Sequence, residues 1–205
     1  MRYISIIFVV ILVATGTYTS SLGLAQDNNE FPFGQTELAR LAKGEVIIRE
    51  DQSSDRGGRK VQAAILIDSP VQLVWNVIID CERAPEFMPD LKSCKFLQRS
   101  EGTAIIEQEV NVSRLLPKTT YIYRSIYQKF RRIDFKRISG DLKDLEGSWV
   151  LERAGGGQQT IVVYTVFLDP GFFAPKWLVR QILRRNLPDV LLALRKWVSD
   201  SPSSK

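Results

Sequence analysis

Residues 174–198, APKWLVRQILRRNLPDVLLALRKWV, decide how this chain folds. Pro188 would ordinarily end a helix, because its ring removes one amide donor and crowds the preceding turn. Yet Leu178, Ile182, Leu187, Val190, Leu194 and Trp197 stay on one arc when the count runs through the proline at about 100° per residue. The pattern therefore predicts one amphipathic helix, kinked at Pro188, rather than two helices. Lys176, Arg180 and Arg184 form a basic stripe beside the arc. Such a stripe is usually a solvated face, and a face turned to an anionic membrane is the alternative.

Ahead of this helix, β-branched and aromatic residues gather in six stretches, 92–99, 103–113, 119–130, 133–139, 146–153 and 160–168. Pro117 and Gly155-Gly156-Gly157 mark the clearest turns between them, Gly102 and Gly140 weaker ones. In the last stretch Thr160, Val162, Tyr164, Val166 and Leu168 share one face, while Ile161, Val163, Thr165 and Phe167 share the other. Both faces are apolar, so this strand belongs inside a sheet that is covered on both sides. Earlier, 36–43 reads as two helical turns stopped by Gly44, and 45–49 with 61–68 as a hairpin across the Ser-, Asp- and Gly-rich loop 51–58. Ser69-Pro70-Val71-Gln72 reads as a helix start, with Ser69 at the N-cap, Pro70 at the first helical position and Gln72 closing a capping box. That helix runs to about Asp80 with Val71, Val74, Trp75 and Ile78 on its core face, and Pro85 and Pro89 bracket a turn or short helix at 86–88. The order predicts an α+β fold, a curved antiparallel β-sheet wrapped around a long C-terminal α-helix. A hollow between the two would suit a small ligand.

Composition narrows the chemistry. At 205 residues, 44% hydrophobic and 25% charged, the chain is globular. It has no histidine, which removes Ser/His/Asp and Cys/His nucleophile activation and His-ligated zinc; two cysteines cannot build a four-thiolate site either. No metal and no cofactor is expected, and any catalysis falls to carboxylate, Lys, Tyr or Arg groups. Glu107 and Glu109 alternate onto one strand face, which makes a paired-carboxylate site conceivable, with both facing water as the plainer reading. A net charge of +5 is compatible with an anionic membrane surface, and no nucleic-acid motif is present.

Residues 4–14 are apolar apart from Ser5, follow Arg2, and give way to Thr and Ser ahead of Gly23-Leu24-Ala25, the layout of a secretory signal cleaved after Ala25. An uncleaved membrane anchor is the alternative, but about 11 apolar residues fall short of the roughly 20 that a spanning helix needs. The expected organisation is a signal peptide at 1–25, an N-terminal segment at 26–43, a ligand-binding domain at 44–198 and a disordered tail at 199–205, in an exported, periplasmic protein. Export would place Cys81 and Cys94 in an oxidising compartment. They are then either a disulfide, which would stabilise the fold by roughly 3 kcal/mol for a loop of about 14 residues, or two buried thiols. Asn111-Val112-Ser113 matches a glycosylation acceptor but falls inside a predicted strand.

The element order resembles the helix-grip fold of START-like proteins, the superfamily of polyketide cyclases and lipid-transfer domains. Local sequence is similar too. Ile67-Asp68-Ser69-Pro70, Val74-Trp75, Asp80, Glu82, Arg83 and Pro85-Glu86-Phe87-Met88-Pro89 look like the opening signature of the coenzyme Q-binding START family. Gly140-Asp141-Leu142 with Leu145-Glu146-Gly147 and Trp149 looks like its glycine-to-tryptophan strand pair. The resemblance spans about 44–198 and departs at Cys81, where that family commonly has an aromatic residue, and in the export leader. It implies a cavity for an apolar or lipidic molecule.

The expected lining comes from inward strand residues, the Phe87-Met88 corner and the start of the long helix: Phe87, Met88, Phe96, Ile106, Val110, Tyr121, Tyr123, Phe135, Trp149, Tyr164, Phe172, Phe173 and Trp177. Each of these also fits a plain core position, because alternation assigns a face only when the register is right. Phe172 and Phe173, framed by Pro170, Gly171 and Pro175, read as a staple to the sheet or as a lid or membrane-dipping pair. Gln108, Glu107, Glu109, Tyr121, Tyr123 and Arg137 are the polar residues available to orient a ligand. Three functions follow: an exported carrier or sensor of a hydrophobic molecule, a cyclase or dehydratase, or an adaptor docking its basic helix on a membrane without ligand.

Overall fold

The computed structural model describes residues 33–51, 58–111, 118–171 and 175–200. The expected leader, Val112 and Ser113 of the acceptor motif, Phe172, Phe173 and residues 201–205 lie outside them. Helix α1 (Gln35–Ala42) leads into the hairpin β1 (Ile47–Asp51) and β2 (Arg59–Ile67), then α2 (Val71–Ile78) and the single turn α3 (Ala84–Phe87). Six strands follow, β3 (Leu91–Ser100), β4 (Thr103–Val110), β5 (Thr119–Gln128), β6 (Arg132–Gly140), β7 (Asp144–Ala154) and β8 (Gln159–Asp169), and then α4 (Lys176–Asp200). The strands form one eight-stranded sheet in the order β1-β2-β8-β7-β6-β5-β4-β3, and each pairing is antiparallel. The β3–β8 meander thus closes back on the hairpin, and the connection carrying α2 and α3 bridges from β2 to the far edge.

Alternation explains the core. Val61, Ala63, Ile65 and Ile67 of β2 face the same side as Val162 and Val166 of β8 and are buried with Leu183, Leu187, Leu191, Leu194 and Val198 of α4. Leu191 and Leu194 are fully enclosed, and burying a side chain of that kind contributes about 1.5–3 kcal/mol. Helix α4 continues through Pro188. Its buried stripe runs Val179, Leu183, Leu187, Leu191, Leu194, Val198, with Leu178, Ile182 and Val190 half-buried at its margin. The opposite face of β8 is covered as well: Val163 and Phe167 are buried. There α1 lies against the hairpin, its Glu37 accepting from Arg49 Nε at 3.0 Å. This contact holds the Glu37 carboxyl below its ordinary range.

The expected capping box does not form. Pro70 occupies the N-cap of α2 with no side-chain cap, because Ser69 is buried against β8. Its carbonyl accepts from Thr160 Oγ1 at 2.8 Å and its own hydroxyl donates to the Asp68 carbonyl at 2.7 Å. The segment docks on the sheet, and no hydroxyl is left to turn inward to the helix. Strand β4 ends at Val110, so Asn111 stands just past it, donating its N–H to the Asp90 carbonyl at 2.8 Å. Cys81 and Cys94 are joined in a disulfide with Cα atoms 5.4 Å apart, which ties the end of α2 to β3. Register shifts interrupt β3 after Leu91 and after Phe96, and the β5–β6 pairing after Ile122. Such shifts bend a sheet locally. Among the described residues no helix is long and apolar enough to cross a membrane.

Candidate ligand-binding site

Between α4 and the inner face of the sheet lies a cavity of about 430 Å³, within the roughly 300–1,000 Å³ typical of small-molecule sites. Its roof is the N-terminal half of α4, with Val179, Ile182, Leu183, Leu187 and Val190 turned down. Its floor is Val110, Leu145, Val166 and Leu168 from three strands, β4, β7 and β8, and its side is the Met88-Pro89 corner. Lys118 and Asp141, both exposed, stand at the rim. Asn186 donates to Asp90 Oδ2 at 3.1 Å across that edge, and Asp141 Oδ2 accepts the Thr120 N–H at 2.7 Å.

A second, smaller hollow of about 100 Å³ lies deeper. It shares Met88, Gln108, Tyr121, Leu145 and Tyr164 with the first. Aromatic rings dominate it. Trp149 stacks on Tyr164 at 3.7 Å, and Phe135 bridges Tyr164 and Tyr123 with centroid separations of 6.2 and 5.9 Å. Cross-strand glycine makes this possible: Phe135 pairs with Gly147, where an added Cβ would come within 2.5 Å of the phenyl ring. Tyr121 donates to Gln108 Oε1 at 2.9 Å, and Gln108 Nε2 points at Cys94 Sγ at 3.3 Å. Burial raises the pKa values of Tyr121, Tyr123, Tyr164 and Tyr127 above the ordinary phenol range. All four phenols are therefore neutral at physiological pH.

Of the residues singled out from the sequence, Met88, Val110, Tyr121 and Tyr164 line the outer chamber and Ile106, Tyr123, Phe135 and Trp149 the inner one. Three lie elsewhere. Phe87 stacks on Trp197 at 5.1 Å, Phe96 sits beneath the Arg99 guanidinium at 4.8 Å, and Trp177 is 66% exposed. Phe87 adjoins Met88, but α3 turns it toward the helix; Phe96 stands at the β3 register shift. Gln108 lines both chambers. Glu109 lies off the cavity wall and pairs with Lys118 at 3.0 Å, Glu107 pairs in register with Lys95, and Arg137 reaches the Gly140 carbonyl at 2.8 Å. Arg180 and Arg184 both hold Glu50 of β1, at 2.6 and 2.9 Å. The sequence predicts the start of α4 in the lining, but with Trp177 as its residue; the roof is instead Val179, Ile182, Leu183, Leu187 and Val190, whose signal lies in the apolar arc of 178–197, with Asn186 beside it as a polar hint.

Residues 67–195 match the family described as polyketide cyclase / dehydrase and lipid transport. The chain belongs to that family. Its fold is shared by the STAR-related lipid transfer protein of Xanthomonas axonopodis, at 15% identity and a TM-score of 0.68 over 76% of this chain and 94% of the other. The Zhui aromatase/cyclase of Streptomyces sp. R1128 is similar at 17% identity and a TM-score of 0.63, over 71% of this chain and 98% of that one. Human STARD10 is similar at 15% identity and 0.64, over 77% and 71%. At these identities the likeness speaks for the helix-grip fold. No curated protein sequence matches the chain.

Proposed function

We propose that this member of the polyketide cyclase/dehydrase and lipid transport family is an exported, periplasmic protein that binds or carries a lipid or other hydrophobic small molecule beneath α4. The observation that carries the reading is the cavity of about 430 Å³ roofed and floored by aliphatic side chains, since apolar surface held open in a folded core gains free energy when an apolar ligand fills it. The volume favours one chain or one compact ring system over a two-chain lipid. Export rests on the apolar leader at 4–14. Binding is favoured over cyclisation or dehydration because the ionisable groups of the inner chamber are phenols that burial keeps protonated. Such groups do not accept a proton near neutrality.

Delivery would bring the mouth to a membrane. Trp177, exposed one turn from the roof, suits an interfacial anchor, while Arg180 and Arg184 remain solvent-exposed beyond their shared Glu50. The deciding experiment is native mass spectrometry and lipid extraction on full-length protein purified from its own compartment. A bound hydrophobic molecule at near-stoichiometric amount is expected, and repeated preparations with an empty cavity would refute the carrier reading.

A further inference from the structure

The two chambers differ in what they offer a ligand. The outer one is walled by aliphatic side chains, with charges confined to its rim. The inner one carries no charged side chain among its lining residues, yet it collects phenols. The hydroxyl of Tyr121 is committed to Gln108 at 2.9 Å. Those of Tyr123 and Tyr164 form no hydrogen bond among the described residues, and neither is an enclosed orphan of the kind seen at Arg59 Nε and Arg137 Nε. They therefore open onto the hollow. The described residues supply neither hydroxyl with a partner, so both are free to donate to whatever fills the hollow. The two phenols flank a single ring, that of Phe135, whose centroid lies 5.9 Å from that of Tyr123 and 6.2 Å from that of Tyr164.

We propose that the inner chamber is a socket for a neutral, oxygen-bearing head group, so that the carried molecule is inserted polar end first and leaves its apolar body in the outer chamber. The hollow of about 100 Å³ holds the equivalent of about three waters at roughly 30 Å³ each, enough for a hydroxyl- or carbonyl-bearing group. Tyr123 and Tyr164 donate to its oxygen, and the ring stack of Trp149 on Tyr164 holds the second phenol in place. A carboxylate or ammonium head finds no counter-ion there and bears the full desolvation cost. This socket rests on the carrier reading.

The test is a binding series on the full chain stripped of endogenous ligand, using one chain length with five ends: alkane, primary alcohol, methyl ketone, carboxylate and alkylammonium, measured by native mass spectrometry and displacement. The alcohol and ketone should bind about tenfold tighter than the alkane, and the two ions weaker than either, as two modest hydrogen bonds imply. Tyr123→Phe and Tyr164→Phe should each lower the ratio of ketone to alkane affinity about threefold. Both variants should also melt at or slightly above the wild-type temperature, because each loses an unpartnered hydroxyl; Tyr121→Phe, which breaks the Gln108 bond, should melt lower. If the alkane binds as tightly as the ketone, if a charged end binds best, or if the Phe variants weaken every ligand alike, the socket is wrong and the carrier survives. If nothing in the series binds, alkane included, the carrier reading falls and the socket with it.

Discussion

Breaking the Cys81–Cys94 bond should lower stability and ligand retention together. The two residues are 13 apart in sequence, and closing a loop of that size removes denatured-state entropy equivalent to about 3 kcal/mol. For a domain of 150–250 residues each kcal/mol shifts the melting temperature by about 2–4 °C, so reduction should cost about 6–12 °C. Both cysteines also line the inner chamber, with Ala84 and Ile106 beside them. Freeing the α2–α3 corner from β3 therefore loosens the wall that the ligand's deep end would contact. The assay is thermal unfolding of the full chain with and without a thiol reductant, alongside Cys81→Ala/Cys94→Ala, with ligand retention read by native mass spectrometry on the same samples. The reduced and double-alanine proteins should agree. Melting within about 2 °C of the oxidised protein, well below the loop-closure value, would refute the loop-closure argument; a full loss of stability with unchanged retention would sever the disulfide from the chamber.

Leu183→Trp should fill the space beneath the roof, since Leu183 is buried and lines the outer chamber; hydrophobic-ligand loading should fall at least about tenfold while circular dichroism stays native, overpacking costing about 1–3 kcal/mol. Stability should be flat from neutral pH to about pH 9 and then fall, because Tyr121, Tyr123 and Tyr164 have raised folded-state pKa values. Above an unfolded phenol pKa of about 10 the unfolded chain sheds protons that the folded chain keeps, so each buried phenol contributes a slope of up to about 1.4 kcal/mol per pH unit; denaturant titrations at rising pH that show no slope would contradict their burial. Glu50→Gln releases both Arg180 and Arg184 from β1, and hydrogen exchange should quicken over 176–187 while the 191–198 turns stay protected. If Arg180→Glu/Arg184→Glu leaves binding to anionic vesicles intact, or if that binding is insensitive to salt, electrostatic docking of α4 is excluded.

Element types and their order were legible because each rests on short-range periodicity. The alternation of β8 exposed its two covered faces, and the arc through Pro188 showed that α4 continues. The absence of histidine restricts the chemistry whatever the fold. Where a local reading failed, a distant neighbour had intervened: Ser69 looks like an N-cap until Thr160 of β8 takes its carbonyl.

By itself, then, the sequence determined a curved sheet, a closing helix and a family. Tertiary structure alone decided whether Cys81 and Cys94 meet, which of the neighbours Phe87 and Met88 faces the cavity, and that the roof is the middle of α4 as well as its start. The reason is physical. Periodicity is written into residues a few positions apart, whereas a cavity is the volume that side chains from many separate elements together fail to fill, and no single segment encodes it.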